Sequence, residues 1–418
     1  MQPLTKARAN AIKNAITLMF VVQGICSTTY LPRIPDIIEQ IDVSLATWGI
    51  IIGVGGFGSL MGLTITNQLI SAFGTTRVTL YSSFVMSAGI ASFSLMHDPF
   101  VFLVSYLVMS FASGVLGIAL NAQGIAFQSR VGKVLLGRFH GAWSLGAGFS
   151  AIMSGFFATF MPLWIHLLLI PGLSVIAYAV AAKNMLNRKE ESHDIGGSTR
   201  KALNVFKAPK SIWIITFAAF CSILPEVAIM DWSAVFGRKT LGLSAGLAAV
   251  PYIAFVVAMI IGRFSIEKLT RRIPLAKLAR RSIFIGAIAY GLSIFVGPLI
   301  ADSDKFVGML TLSGLWFVVG LGLAPAVPTV FGSAAFIKGF TTPQVMAMMS
   351  LINTFTFMFA KMLIGAVAQG VSLQVALIFP VLLAFTAAFM VGIVGKRTPK
   401  SAPLENAFPT TGPISAID

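Results

Sequence analysis

Three ionisable residues, Glu226, Asp231 and Lys361, stand inside long apolar stretches. An ionised side chain at the centre of a membrane-spanning helix costs about 2.5–3.5 kcal/mol on insertion scales, so such a residue is usually kept for a pathway or for a partner. Glu226 falls about 15 residues into its stretch, roughly 22 Å along a helix. A carboxylate at that depth can carry a proton, or it can be a satisfied group that fixes a kink. Pro225 beside it removes a backbone donor and frees the Cys221 carbonyl, which breaks the helix locally. Asp231 comes five residues later, about 140° around the helix, so the two carboxylates do not share a face. With Trp232 it is expected near the outer interface, where a Trp anchors a helix. Lys361 has Thr354 seven positions earlier on nearly the same face. It could bind an anionic solute, neutralise Glu226, or snorkel to the surface. A shared depth favours an approach of Lys361 to Glu226.

Other chemistry is missing from the sequence. There is no Walker A loop, no H-E-x-x-H, no C-x-x-C and no G-x-S-x-G. The chain is therefore read as a non-enzyme without cofactor or metal, driven by an ion gradient or by the gradient of its own solute. Cys26 and Cys221 lie singly in apolar segments, which supports neither a disulfide framework nor a metal site. His166 reads as a packing residue and His140, beside Arg138, as a solvated one.

The elements that must hold these residues are membrane helices. Hydrophobic residues make up 56% of the 418 and charged residues 11%, against about 25% charged in soluble domains. Apolar runs place twelve spans near 11–31, 47–70, 76–96, 99–122, 140–160, 163–183, 211–236, 244–264, 282–301, 306–330, 343–368 and 372–394. Each is long enough for a helix to cross about 30 Å of hydrocarbon. Backbone pairing inside lipid leaves helices as the solution, because alternating barrel strands are missing. The net charge of +16 could indicate nucleic acid, but its placement does not. With a cytoplasmic N-terminus, the Lys and Arg off that side are Arg33, Arg238, Lys239, Lys305 and the intramembrane Lys361. This positive-inside pattern puts both termini in the cytoplasm and the basic segments against anionic lipid. The first segment reads as an uncleaved helix, since no A-x-A-type site follows it.

The spans form two sets of six. The predicted domains are residues 1–184, a cytoplasmic linker at 185–210, residues 211–395, and a disordered polar tail at 396–418. A repeat supports the division. At an offset of 200, Gly62-Leu-Thr-Ile-Thr-Asn67-Gln68-Leu69 aligns with Gly262-Arg-Phe-Ser-Ile-Glu267-Lys268-Leu269, and both close the second span of their set. Small residues four apart allow close helix approach: Gly58 and Gly62, Ser144 and Gly148, and Ala254, Ala258 and Gly262. Gly320, Gly322, Pro325 and Pro328 suit either a bending gate or simple kinked packing.

On these features the chain resembles the major facilitator superfamily along nearly its full length. The loop signature of that family after the second helix is present in degraded form, with Glu267-Lys268 in the second copy. Finer resemblance is to the YbjJ-like branch, akin to the fucose-permease group. It rests on Arg33-Ile-Pro-Asp36-Ile, on Phe139-His140-Gly141-Ala-Trp143-Ser144-Leu-Gly146, and on Glu226 with Asp231-Trp232-Ser233.

The resemblance implies two pseudo-symmetric bundles, with spans one, four, seven and ten lining a central cavity and spans two, five, eight and eleven forming the seam. On those spans the candidate solute contacts are Gln23, Thr28, Tyr30, Asn121, Gln123 and Trp316, with Lys361 added. Glu226 and Asp231 are the candidates for proton coupling, and Gly62, Gly262, Glu267, Gly320 and Pro325 for gating. The expected activity is alternating-access movement of a small polar, sugar-like solute across a bacterial inner membrane, coupled to protons, by a monomer. Efflux of drugs or metabolites, or a non-transporting receptor of the same fold, are the alternatives. Span five has Gly146-Ala-Gly148 in place of the Gly-Pro-Gly-Gly antiporter signature, which disfavours proton antiport.

Overall fold

A computed structural model describes residues 4–133, 135–188, 190, 208–334, 336–337, 339–340 and 342–394. Most of the expected linker and the whole expected tail lie outside the described residues.

Among them every regular element is helical. The first six spans are α1 (Lys6–Thr28), a broken pair α3 (Leu45–Val54) and α4 (Gly56–Phe73), α5 (Thr75–Ser92), α6 (Pro99–Val131), α7 (Leu136–Phe157) and α8 (Leu163–Ala182). The second six are α9 (Lys210–Lys239), α10 (Ala245–Thr270), α11 (Leu275–Ala301), a broken pair α12 (Lys305–Leu323) and α13 (Ala326–Ala334), α14 (Thr342–Gly370) and α15 (Leu373–Val394). A short helix, α2 (Ile34–Gln40), follows α1 through a 3-10 turn, Leu31–Arg33. Composition does not announce it, because its seven residues are too few to form a span.

Eleven of the spans are long and apolar enough to cross a membrane. The remaining one, α7, carries Arg138, His140, three Ser and five Gly in 22 residues, which lowers its hydropathy because it packs against protein on two sides. Gly24 and Gly146 bring α1 and α7 into backbone contact: a Cβ on Gly24 would lie 2.2 Å from the Trp143 carbonyl oxygen, and one on Gly146 2.2 Å from that of Val21. Spans four, eight and nine run six to nine residues past their apolar stretches at the end that carries the N-terminus. Their extra turns bear Arg130, Lys268, Lys277, Arg280 and Arg281, whose long side chains reach polar surroundings while the backbone stays helical.

The aligned repeat is a packing device within each six-span set. A Cβ on Gly62 would lie 2.4 Å from the Phe111 carbonyl oxygen of α6, and one on Gly262 2.5 Å from Cβ of Ala324, at the end of α12. In both sets the second span is thus flattened against the fourth. The expectation that Gly58, Gly62, Ala258 and Gly262 line the seam between the sets is corrected, since Gly58 also abuts α6 and Ala258 meets Gly320 of α12.

The seam itself is made by α3 with α14 and by α7 with α10. At the end away from the N-terminus, called here the far end, Gly49 and Gly365 are nearly in backbone contact. A Cβ on either would come within 2.9 Å of the other's Cα. The Gln369 side-chain oxygen there accepts the backbone N–H of Leu45 at 3.1 Å. Toward the N-terminal end the same two spans meet at Phe57 and Phe355, ring centroids 5.4 Å apart.

The N-terminal end has a clamp within its own set. Arg8 donates to the carbonyls of Asn184 and Met185, at 3.1 and 2.8 Å, and pairs with Glu190 at 2.8 Å. The guanidinium holds the Glu190 carboxyl below its ordinary range. The clamp therefore contributes stability that is present at neutral pH and is lost as pH falls through that lowered value.

Candidate transport site

The two carboxylates of α9 each have a cation from a different helix. Glu226 follows Pro225 at mid-helix, and its Oε1 accepts a hydrogen bond from Nη2 of Arg263 at 2.9 Å. Arg263 is on α10, which presents Ala258 and Gly262 to α12 and so turns the next residue toward α9. By sequence, Arg263 falls one residue before the end of the span at 244–264 and counts with the cytoplasmic cations. The helix instead continues to Thr270, so Arg263 belongs to the pathway.

The pair lines a small cleft, about 50 Å³, made by both sets of spans. Thr28, Trp143 and Ser144 form one wall, and Glu226, Tyr252, Phe255 and Arg263 form the other. At this size it has room for one or two waters. His140 sits just beyond. It is exposed, yet its Nε2 is 2.9 Å from Oδ1 of Asn121 and its ring lies edge-on to Phe20 at 5.3 Å. It is also close enough to Arg263, on the second set, to feel that charge.

The expected approach of Lys361 to Glu226 is not made. Lys361 sits 2.8 Å from Oδ2 of Asp231, with the two side chains 17% and 10% exposed. The ammonium is out of line for a hydrogen bond to that oxygen, so the contact is ionic. The reason lies in the depth of the seam. Lys361 is on the stretch of α14 that closes on Gly49, level with the later of the two α9 carboxylates. Trp232 does not anchor an interface either, because it is fully buried where α9 is surrounded by α10, α13, α14 and α15. Tyr30 and Tyr106 place their hydroxyls 3.4 Å apart nearby, and Tyr252 is close enough to both Glu226 and Asp231 to feel their charges.

The other candidates divide. Thr28 lines the cleft, its hydroxyl donating to the Gly24 carbonyl. Gln23 is 9% exposed on the same helix. Asn121 is joined to His140, and its amide also donates to the Gly117 carbonyl at 2.7 Å. Gln123 is not directed at a solute: it is buried, and its amide donates to Thr75, Thr76 and the Leu186 carbonyl, tying α6 to the start of α5 and the chain beyond α8. Trp316 is likewise a packing residue, its indole donating to Ser293 of α11 at 2.9 Å beside Phe236. Glu267 is 74% exposed and bonded to Arg271 one turn on. Pro325 marks the break between α12 and α13, and Gly320 meets the Phe255 carbonyl of α10.

Sequence reasoning missed a charged latch at the far end. Arg33, 4% exposed, pairs with Asp36 and donates to the Met161 carbonyl at 3.1 Å. Arg238, at the end of α9, reaches across the seam to Asp36 at 3.3 Å and Glu39 at 3.8 Å. The signal was present: Arg33 and Arg238 are two of the few cations on an otherwise cation-poor side.

A profile of the Major Facilitator Superfamily matches residues 16–337. The chain belongs to that superfamily, and its fold is the major facilitator fold. An MFS-type transporter from Yersinia pestis is 26% identical over 393 residues, covering 92% of this chain and 97% of the relative. The membrane protein MosC of Rhizobium meliloti is 21% identical over 370 residues, 87% of this chain and 86% of its own. Among solved structures, the nucleoside transporter NupG superposes with a TM-score of 0.70 at 12% identity, over 92% of this chain and 99% of its own. A bacterial homologue of the lysosomal transporter Spinster superposes with a TM-score of 0.66 at 15% identity, over 94% and 98%.

Proposed function

We propose that this superfamily member is a proton-coupled transporter of a small polar solute, importing it across a bacterial plasma membrane by alternating access. One observation carries the reading. Glu226, an intramembrane carboxylate, is held by a single cation, Arg263, at a cleft walled by both six-span sets. Proton uptake by Glu226 weakens that contact, which couples protonation to the packing of α9 on α10 and hence to the equilibrium between conformations. With both termini cytoplasmic, the sealed far end is periplasmic and the conformation described here faces inward. The bacterial relatives support a plasma-membrane location.

The test is solute uptake into proteoliposomes with and without an imposed pH gradient. Glu226→Gln keeps size and an acceptor for Arg263 but cannot release a proton. It should stay inserted and folded while losing gradient-driven accumulation by at least about tenfold. Full accumulation by this variant would remove Glu226 from coupling.

A further inference from the structure

We infer that the transported solute carries a single carboxylate, which takes the place of Glu226 on Arg263. The inference rests on the proton-carrier reading of Glu226 and adds to it the charge of the cargo.

Charge balance constrains what a site within the membrane-spanning helices can bind. A guanidinium has five N–H donors and does not lose its proton in proteins. Arg263 is neutralised by Glu226, with one hydrogen bond between them; the Arg263 side chain is 32% exposed and lines the cleft. When Glu226 takes a proton from the aqueous side, Arg263 stands uncompensated. The other charged and titratable groups around the pair do not replace the lost anion. Asp231, further along α9, is held by Lys361 of α14. His140, from α7, is joined to Asn121 and adds no negative charge. Tyr252 of α10 and Tyr30, just after α1, bring neutral hydroxyls.

A neutral solute would therefore leave a bare cation between the spans in the loaded carrier, which is a costly arrangement. A monocarboxylate restores neutrality, and a planar guanidinium binds it with two parallel hydrogen bonds. Empty and loaded carriers then have the same net charge, so both can pass through the occluded state. Arg263 lines a cleft whose other walls include the rings of Trp143, Tyr252 and Phe255 and the side chains of Met230 and Met259. This suits a carboxylate attached to a planar or partly apolar body.

Acetate is a small carboxylate probe with a neutral isostere of the same shape. Purified full-length protein in detergent would be titrated with sodium acetate, with acetamide as the neutral isostere and sodium chloride at matched ionic strength. Trp fluorescence and melting temperature are the readouts. Acetate, and neither control, should bind the wild type, with an affinity that falls by up to about tenfold per pH unit because one proton is taken up per anion. Glu226→Gln should bind acetate with no pH dependence. Arg263→Gln should lose at least about tenfold in affinity. The double variant Glu226→Gln, Arg263→Gln carries neither charge and guards against misfolding, and it should also fail to bind.

Equal responses to acetate and acetamide, equal responses to acetate and chloride, or undiminished acetate binding by both Arg263 variants would each overturn the inference. In proteoliposomes, gluconate should be accumulated and glucose not. Proton-driven accumulation of glucose would refute the carboxylate while leaving Glu226 as proton carrier. Acetate binding that is independent of pH in the wild type would instead refute the coupling and leave the anion site standing.

Discussion

At the scale of single residues, the two carboxylates of α9 differ in their partners, and this predicts different responses to substitution. Asp231 and Lys361 are mostly buried and 2.8 Å apart. Removing one member of such a pair leaves a charge without its counter-ion, a loss of about 3–5 kcal/mol, whereas removing both can be nearly neutral. Lys361→Met should thus lower thermal stability strongly, and Asp231→Asn with Lys361→Met should recover most of it. The cycle of Lys361→Met with Glu226→Gln should be additive, because those side chains hold different partners. Strong coupling in the second cycle, or none in the first, would reverse the assignment. The sequence showed that these residues were costly but not which would meet. Helical spacing separates Glu226 from Asp231 on one helix, but it carries no information about how α14 is set against α9. Arg263 was hidden for another reason: one residue from the predicted end of its span, it counted with the cytoplasmic cations, whereas the helix runs on to Thr270 and turns it toward α9.

At the scale of elements, periodicity and length placed all twelve spans, because lipid leaves the backbone no alternative to the helix. The interruptions were less legible. The break between α3 and α4 falls at Gly55-Gly56, beside the Tyr106 ring, where a glycine pair lets the helix bend, and the short α2 is too brief to stand out by hydropathy. The glycines show the same limit, since Gly62 and Gly262 flatten a helix against its own set while Gly49 and Gly365, outside any noticed motif, close the seam. From this geometry Gly49→Val should pry α3 from α14, because its side chain would meet the Lys361 carbonyl oxygen and the Gly365 Cα at 2.8 and 2.9 Å. Spin labels at Thr47 and Val371 should report a longer and broader distance distribution than the parent protein. The matching change at Gly62 should reduce stability without moving those labels. Unchanged distances in Gly49→Val would mean that the seal lies elsewhere.

At the scale of the whole molecule, the two sets of spans are held at the far end by contacts that must break if the carrier is to open there. Backbone contact at Gly49 and Gly365 is one, the Leu45–Gln369 hydrogen bond beside it is a second, and the latch of Arg238 on Asp36 and Glu39 is a third. The latch members are not equivalent. Asp36 also neutralises the buried Arg33, so removing it would strand a cation and confuse folding with gating. Glu39 is 78% exposed and 3.8 Å from its partner, and contributes little. Arg238 is the informative position, because at 28% exposure it spans the seam and its loss strands no cation. Partly exposed ion pairs contribute about 0.2–1 kcal/mol, which is about a 1.5- to fivefold change in a two-state equilibrium. Arg238→Gln should therefore raise the population open at the far end by that modest factor, read as faster labelling of a cysteine placed at Tyr30. High salt should produce part of the same change in the parent protein and little in the variant, because screening acts on the charge that has been removed. Equal salt sensitivity in both would show that the seam is closed by packing alone and that the latch is a consequence of closure.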